Sequence, residues 1–212
     1  MIKTMQQTLF IVLDGIDGAG TTTHSKLLAG FLSLKGLKTY LTREPSSSEI
    51  GKLLRVYLKN ERIPASTDAL LFAADRVLHY KNEIKKKLEE GYIAISDRYI
   101  ESSIAYQSSQ SDEITIEWVE NLNLFAGEPD LTIILDIDPK ISLTRKNQEF
   151  LEKFEDTSLL DKVRRVYLTR AEKLGYPVIN TNNIIELVQT EIQKIVLDKV
   201  KEKGFSIKKS RN

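Results

Sequence analysis

The sequence predicts an α/β fold in three layers, a five-stranded parallel sheet between helices. Three observations carry that expectation: five short apolar runs alternate with longer stretches of helical periodicity, glycines stand where three of the helices should stop, and a glycine-rich loop joins the first run to the first helix. Thr8–Leu13 (TLFIVL), Lys38–Thr42, Tyr92–Ser96, Leu131–Ile137 and Pro177–Asn180 are the apolar runs and read as strands, the first as one buried on both faces. Between and after them, Thr22–Leu34, Thr67–Glu90, Ile114–Phe125, Ser158–Leu174 and Ile184–Lys203 read as helices, with Gly36, Gly91 and Gly175 as stops. Neither a repeat nor a linker divides residues 1–212, so a single domain is expected, with residues 201–212 a polar, basic tail that reads as a frayed terminus.

Composition narrows the function classes. A chain of 212 residues that is 41% hydrophobic can build its own core. Thirty-one Lys and Arg against 30 Asp and Glu leave a net charge of +1, so no global field draws the chain to nucleic acid or an anionic membrane, and any polyanion must be met locally. The absence of cysteine excludes disulfides, thiolate metal sites and thiol nucleophiles, and fits a reducing, cytoplasmic setting. Leu9–Leu13 is too short to span a bilayer or to act as a signal segment.

The loop Gly15-Ile-Asp17-Gly18-Ala19-Gly20-Thr21-Thr22 reproduces the spacing G-x-x-x-x-G-K-[ST] between a strand and a helix, with Thr21 where lysine is expected. Glycines let the backbone turn its N–H groups inward, and the helix start adds free N–H groups and a positive dipole end, so phosphate is favoured from Gly15 through Thr23. Thr22 holds the position whose hydroxyl would ligand Mg²⁺. The lost lysine matters, because a unit charge about 4 Å from a phosphate oxygen is worth about 4 kcal/mol at an effective dielectric near 20. Lys26, more than a helical turn onward, should point away, so another cation is required.

Asp97 closes the third apolar run and opens Asp97-Arg98-Tyr99, with Ser102-Ser103 and Ala105-Tyr106-Gln107 following. A carboxylate at the carboxyl end of a strand beside the phosphate loop can hold Mg²⁺, and Arg98 can reach a phosphate, although an isolated Asp-Arg pair is more often a surface salt bridge.

With these residues the chain resembles the thymidylate kinases, enzymes that move the γ-phosphate of ATP onto dTMP. Four segments carry the likeness: Asp14–Thr22, Thr42-Arg-Glu-Pro45, Leu71-Phe-Ala-Ala-Asp-Arg76 with His79, and Asp97-Arg-Tyr through Gln107. Pro129–Thr132, Leu135–Pro139 and Arg145 extend it, so it covers most of the chain from Leu9 to about Pro177. The resemblance implies the three-layer P-loop NTPase fold, ATP and dTMP as substrates, Mg²⁺, and a homodimer. It also implies roles for single residues: Asp17 for the deoxyribose 3′-hydroxyl, Arg43 and Arg98 for the acceptor phosphate, Phe72 as the platform for thymine, and Arg76 for its exocyclic oxygen. Ser103 and Gln107 resemble the contacts to the base edge, and Tyr106 stands where a 2′-hydroxyl is crowded out. Taken alone, Phe72 reads as core, Arg43 as a strand-end surface charge and Ser102 as a structural helix residue. Glu44 either meets metal-bound water or fixes Arg43, and Asp136 and Asp138 read as structural strand-end residues rather than a metal pair.

Ala19 cannot supply the missing cation, so the family likeness directs attention to a lid at about residues 145–155, where Arg145, Lys146 and Lys153 are candidates. The same segment also reads as ordinary solvated helix. The leading expectation is a dTMP kinase with Arg98, Arg145 and Lys153 as its catalytic cations, Thr22 and Asp97 at the metal. The rivals are a catalytically silent nucleotide-binding protein and a kinase for another deoxynucleoside monophosphate such as dUMP.

Overall fold

In the computed structural model, which describes residues 7–60, 62–145 and 157–206, five parallel strands form one sheet in the order β2-β3-β1-β4-β5. These are β1 (Leu9–Gly15), β2 (Thr39–Arg43), β3 (Ile93–Asp97), β4 (Leu131–Asp136) and β5 (Val178–Asn180). Each lies within two residues of its expected bounds. Every residue of β1 and β3 is buried, as strands covered by helices on both faces must be, while the edge strands β2 and β5 keep exposed positions.

The helices among the described residues are α1 (Thr21–Leu34), α2 (Glu49–Tyr57), α3 (Ala65–His79), α4 (Lys85–Glu89), α5 (Ile100–Gln110), α6 (Ile116–Leu122), α7 (Pro139–Arg145), α8 (Thr157–Leu174) and α9 (Ile185–Glu202). Gly36, Gly91 and Gly175 adopt the positive φ that lets a helix stop, as their spacing predicted. The expected helix Thr67–Glu90 is present but interrupted, because a π-helical turn at Tyr80–Ile84 separates α3 from α4. Sequence periodicity missed α2, α5 and α7. α2 and α7 are short, and α5 is buried from Glu101 through Gln107, so it shows no polar stripe. None of the described helices is long and apolar enough to cross a membrane.

Topology places the site. The chain leaves β1 toward β2 but leaves β3 toward β4 on the other side, so the adjacent carboxyl ends of β1 and β3 open a crevice where ligands collect in such sheets. The register pairs Leu13 with Asp97, which sets the glycine-rich loop beside the Asp97-Arg98 turn.

Candidate active site

The loop after β1 is held by backbone approach rather than by side chains. Ile16 and Ala19 point into the core, and the Ala19 N–H donates to the Ile16 carbonyl at 3.0 Å. A Cβ on Gly15 would lie 2.4 Å from the Leu135 carbonyl oxygen of β4, and one on Gly18, at φ +79°, 2.6 Å from that of Ser142 in α7. Glycine at both positions is therefore a steric requirement. Ser142 Oγ donates to the Asp17 carbonyl at 2.8 Å and ties the loop to α7 from the other side. α1 begins at Thr21 without a side-chain cap, so its first N–H groups face the loop.

Thr22 Oγ1 donates to Asp97 Oδ2, joining the loop to the end of β3. Asp97 Oδ1 is buried and has no hydrogen-bond partner. A threonine hydroxyl and a carboxylate with one oxygen unsatisfied form a hard-oxygen donor set that suits Mg²⁺ completed by water and phosphate oxygens. The described residues contain no group of three or more metal-ligating side chains that would favour a tighter, all-protein site.

Arg98 is the one described non-glycine residue with positive φ, at 72°, a conformation that costs about 1–3 kcal/mol and is maintained by its surroundings. Its N–H donates to the Leu13 carbonyl at 2.9 Å. Nη1 donates to the Gly15 carbonyl at 2.8 Å and to Ser102 Oγ at 3.0 Å, and Nη2 to Asp17 Oδ1 at 2.7 Å. Burial opposes the guanidinium's charge, but Tyr106, Asp17, Tyr167 and Asp97 outweigh it and hold the pKa well above the ordinary arginine range. Arg98 thus presents a fixed cation to both cavities that meet at the loop.

The first cavity is lined by Asp17, Glu44, Pro45, Leu58, Phe72, Arg76, Arg98, Tyr99, Ser102, Ser103, Tyr106 and Gln107. It gathers seven of the eight residues expected around the acceptor. Tyr106 Oη accepts from the Asp17 N–H at 2.9 Å, which fixes the loop against α5. Arg76, 1% exposed, donates through Nε to Glu44 at 2.7 Å, through Nη1 to Asn123 at 2.6 Å, and through Nη2 to Ser103 at 2.9 Å and the Tyr99 carbonyl at 3.1 Å. Of the five N–H groups on a guanidinium, one on Nη1 is left for a ligand. Gln107 Oε1 is buried without a partner, so it too has capacity for a ligand donor.

Arg43 is placed differently from the expectation. It is exposed at the end of the edge strand β2 and does not line this cavity, because the next residue, Glu44, is the one that turns inward. Nor does Glu44 fix Arg43. Its carboxylate is bound to Arg76 and, at 3.1 Å, to His79 Nδ1, whose Nε2 lies 2.6 Å from Thr42 Oγ1. Sequence reasoning missed Asn123, Pro45, Leu58 and Tyr99; an asparagine after a short helix carries no signal that it anchors an arginine.

The second cavity, of about 780 Å³, runs from Asp17–His24 to Thr181 and Asn183–Glu186. Arg145 lies along it, with Nη2 donating to the Thr181 carbonyl at 2.9 Å and Nη1 3.5 Å from that of Gly18. His24 lines it as well. Burial lowers the His24 pKa against the bond of Nδ1 to Gln189, and Arg145 lowers it further, so the ring is neutral at pH 7 and is no substitute for the lysine. Lys26 is exposed on α1 and does not line this cavity. Lys146, Lys153 and the rest of the expected lid beyond Arg145 lie outside the described residues. Another open cavity, about 920 Å³ beside Trp118, contains none of the expected site residues.

Asp136 and Asp138 do have structural roles. Arg164 of α8 donates twice to Asp136, at 2.6 and 2.8 Å, and Asp138 Oδ1 accepts from the Lys140 N–H at the start of α7. Strand alternation alone would put the two on the same face; they part because β4 ends at Asp136.

Comparison with known proteins agrees with this geometry. The family model for thymidylate kinase matches residues 13–192. A probable thymidylate kinase of Pyrobaculum aerophilum is 46% identical over 88% of this chain and 95% of its own length. Those of Pyrobaculum calidifontis and Pyrococcus horikoshii are 47% and 42% identical, over 89% and 88% of this chain and 95% of their own lengths. With a parallel sheet, a glycine-rich loop at its crevice, a family model over residues 13–192 and relatives that match over 88–89% of its length, this chain belongs to the thymidylate kinase family.

Proposed function

We propose that the protein transfers the γ-phosphoryl group of ATP to dTMP, giving ADP and dTDP. The observation that carries this reading is the meeting of two cavities at Arg98: one bounded by an aromatic face and unsatisfied base-edge groups, the other by a phosphate loop. Phe72 offers its ring to thymine, while Arg76, Ser103 and Gln107 meet the base edge, Tyr106 closes the space at the sugar and Asp17 accepts from the 3′-hydroxyl. Arg43 would have to swing in from the end of β2 to share the acceptor phosphate with Arg98.

On the donor side the backbone from Gly15 to Thr23 cradles the phosphates of ATP. Thr22 and Asp97 would hold Mg²⁺, which would supply countercharge to the phosphates. The acceptor phosphate is already ionised, so what the chain supplies is alignment and countercharge. Arg98 and Arg145 provide that charge, and Lys153 is a third candidate. Turnover of ATP with dTMP, in competition with dUMP and other monophosphates, tests the reading. Formation of ADP and dTDP with dTMP preferred is the expected result, and ADP at background sinks it.

A homodimer is part of the same reading. Leu53 and Val56 of α2 and Leu70 and Leu78 of α3 are 40–65% exposed, and a second copy of this apolar face would cover them. Sedimentation should give about twice the 24.2 kDa chain mass; a monomer at micromolar concentration would exclude a stable dimer.

A further inference from the structure

Behind Arg98 lies a buried polar cluster, of which only Ser102 lines the acceptor cavity while Asp14 and Tyr167 stand behind it. Asp14, the last residue before the glycine-rich loop, is fully buried and accepts three donors: the Tyr99 N–H at 3.1 Å, Ser102 Oγ, and Tyr167 Oη at 3.1 Å. Tyr167 comes from α8 and also lies 2.9 Å from Ser102 Oγ. Ser102 Oγ in turn accepts from Arg98 Nη1. A hydroxyl has one proton and two lone pairs. With its proton committed to Asp14, Ser102 turns a lone pair toward Arg98, and a guanidinium, which can only donate, is held on that side.

We infer that Asp14, Ser102 and Tyr167 act together as a positioning unit for Arg98, through which the phenol of α8 fixes the direction in which the guanidinium meets the phosphates. The inference rests on the proposed role of Arg98. The unit works only while Asp14 is ionised. A protonated Asp14 is itself a donor and competes for the Ser102 and Tyr167 oxygens, so the Ser102 lone pair is no longer held toward the guanidinium. Burial pushes the Asp14 carboxyl up to about 6, against Arg98 and the bonds from Ser102 and Tyr167, which lower it, and with Glu101, which raises it. The other charges on this side are Glu120, Glu128 and Arg170, with Arg170 paired to Glu101 and Glu120. Loss of the Tyr167 hydroxyl removes a bond that favours the carboxylate, so the Asp14 midpoint must move further up.

The test is a ¹³C NMR titration of the aspartate carboxyls in the substrate-free protein, with Asp14 assigned by its loss in Asp14→Asn, beside pH profiles of kcat. In Tyr167→Phe the Asp14 midpoint should rise by about half to one pH unit, and kcat should fall about threefold at pH 6 and little at pH 8. In Asp14→Asn the acid limb assigned to this group should vanish. ATP and dTMP titrate identically in all three proteins, so only the protein's own group can move the limb. An unmoved midpoint in Tyr167→Phe, or the same acid limb in all three proteins, would overturn the inference, whatever the variants do to thermal stability. An Arg98→Ala variant that retains full turnover fails the reading of Arg98 itself, a separate outcome, because the NMR midpoint does not depend on catalysis.

Discussion

Arg98→Ala should lower kcat for dTMP phosphorylation by about three orders of magnitude, a loss of about 4 kcal/mol in transition-state stabilisation. The size follows from position. The guanidinium sits where both cavities meet, is held by Gly15, Ser102 and Asp17, and is kept charged by the groups around it. Its removal takes away the countercharge and leaves Asp17 Oδ1 without this donor. Arg98→Lys should recover little, since a single ammonium cannot reproduce a planar fork fixed on three sides. Steady-state kinetics of the folded variants checks this, and a loss below about tenfold would show that Arg98 is a structural residue.

Arg145→Ala should cost about a hundredfold in kcat, with a smaller rise in KM for ATP. Among the described residues, Arg98 and Arg145 are the permanent cations that line the donor cavity, and Arg145 spans from Gly18 to Thr181 across it. Arg98 is committed to the junction with the acceptor, so Arg145 is the described cation available to the donor phosphates. Equal kcat in Arg145→Ala and the parent would move the missing charge to another part of the chain, with Lys153 the next variant to make.

How much of this was legible in the sequence depended on what each residue was asked to report. Strands buried on both faces announce themselves as apolar runs, and the positive φ of Gly36, Gly91 and Gly175 was implied by their place after helical periodicity. The glycine-rich loop was readable because close backbone approach constrains residue type at Gly15 and Gly18. α5 was not, since a helix whose polar residues face inward toward a site has lost the pattern by which helices are recognised. Partnerships were harder still. The motif gives Glu44 and Arg43 side by side, yet adjacent residues near a strand end point in different directions, and Glu44 binds Arg76 thirty-two positions away. Tyr167 carries no signal in the sequence beyond its place in the expected helix Ser158–Leu174; only the fold brings its hydroxyl to Asp14 and Ser102.

On this reading, a phosphate loop without its lysine still supports phosphoryl transfer because another cation serves. Measuring kcat for ATP and dTMP in the parent protein and in Thr21→Lys tests it most directly. A parent that turns over, with Thr21→Lys changing kcat by less than about tenfold, is the predicted result. A parent at background, with turnover that appears only when lysine is placed at position 21, would contradict it and identify a nucleotide-binding protein that has kept the pocket and lost the chemistry.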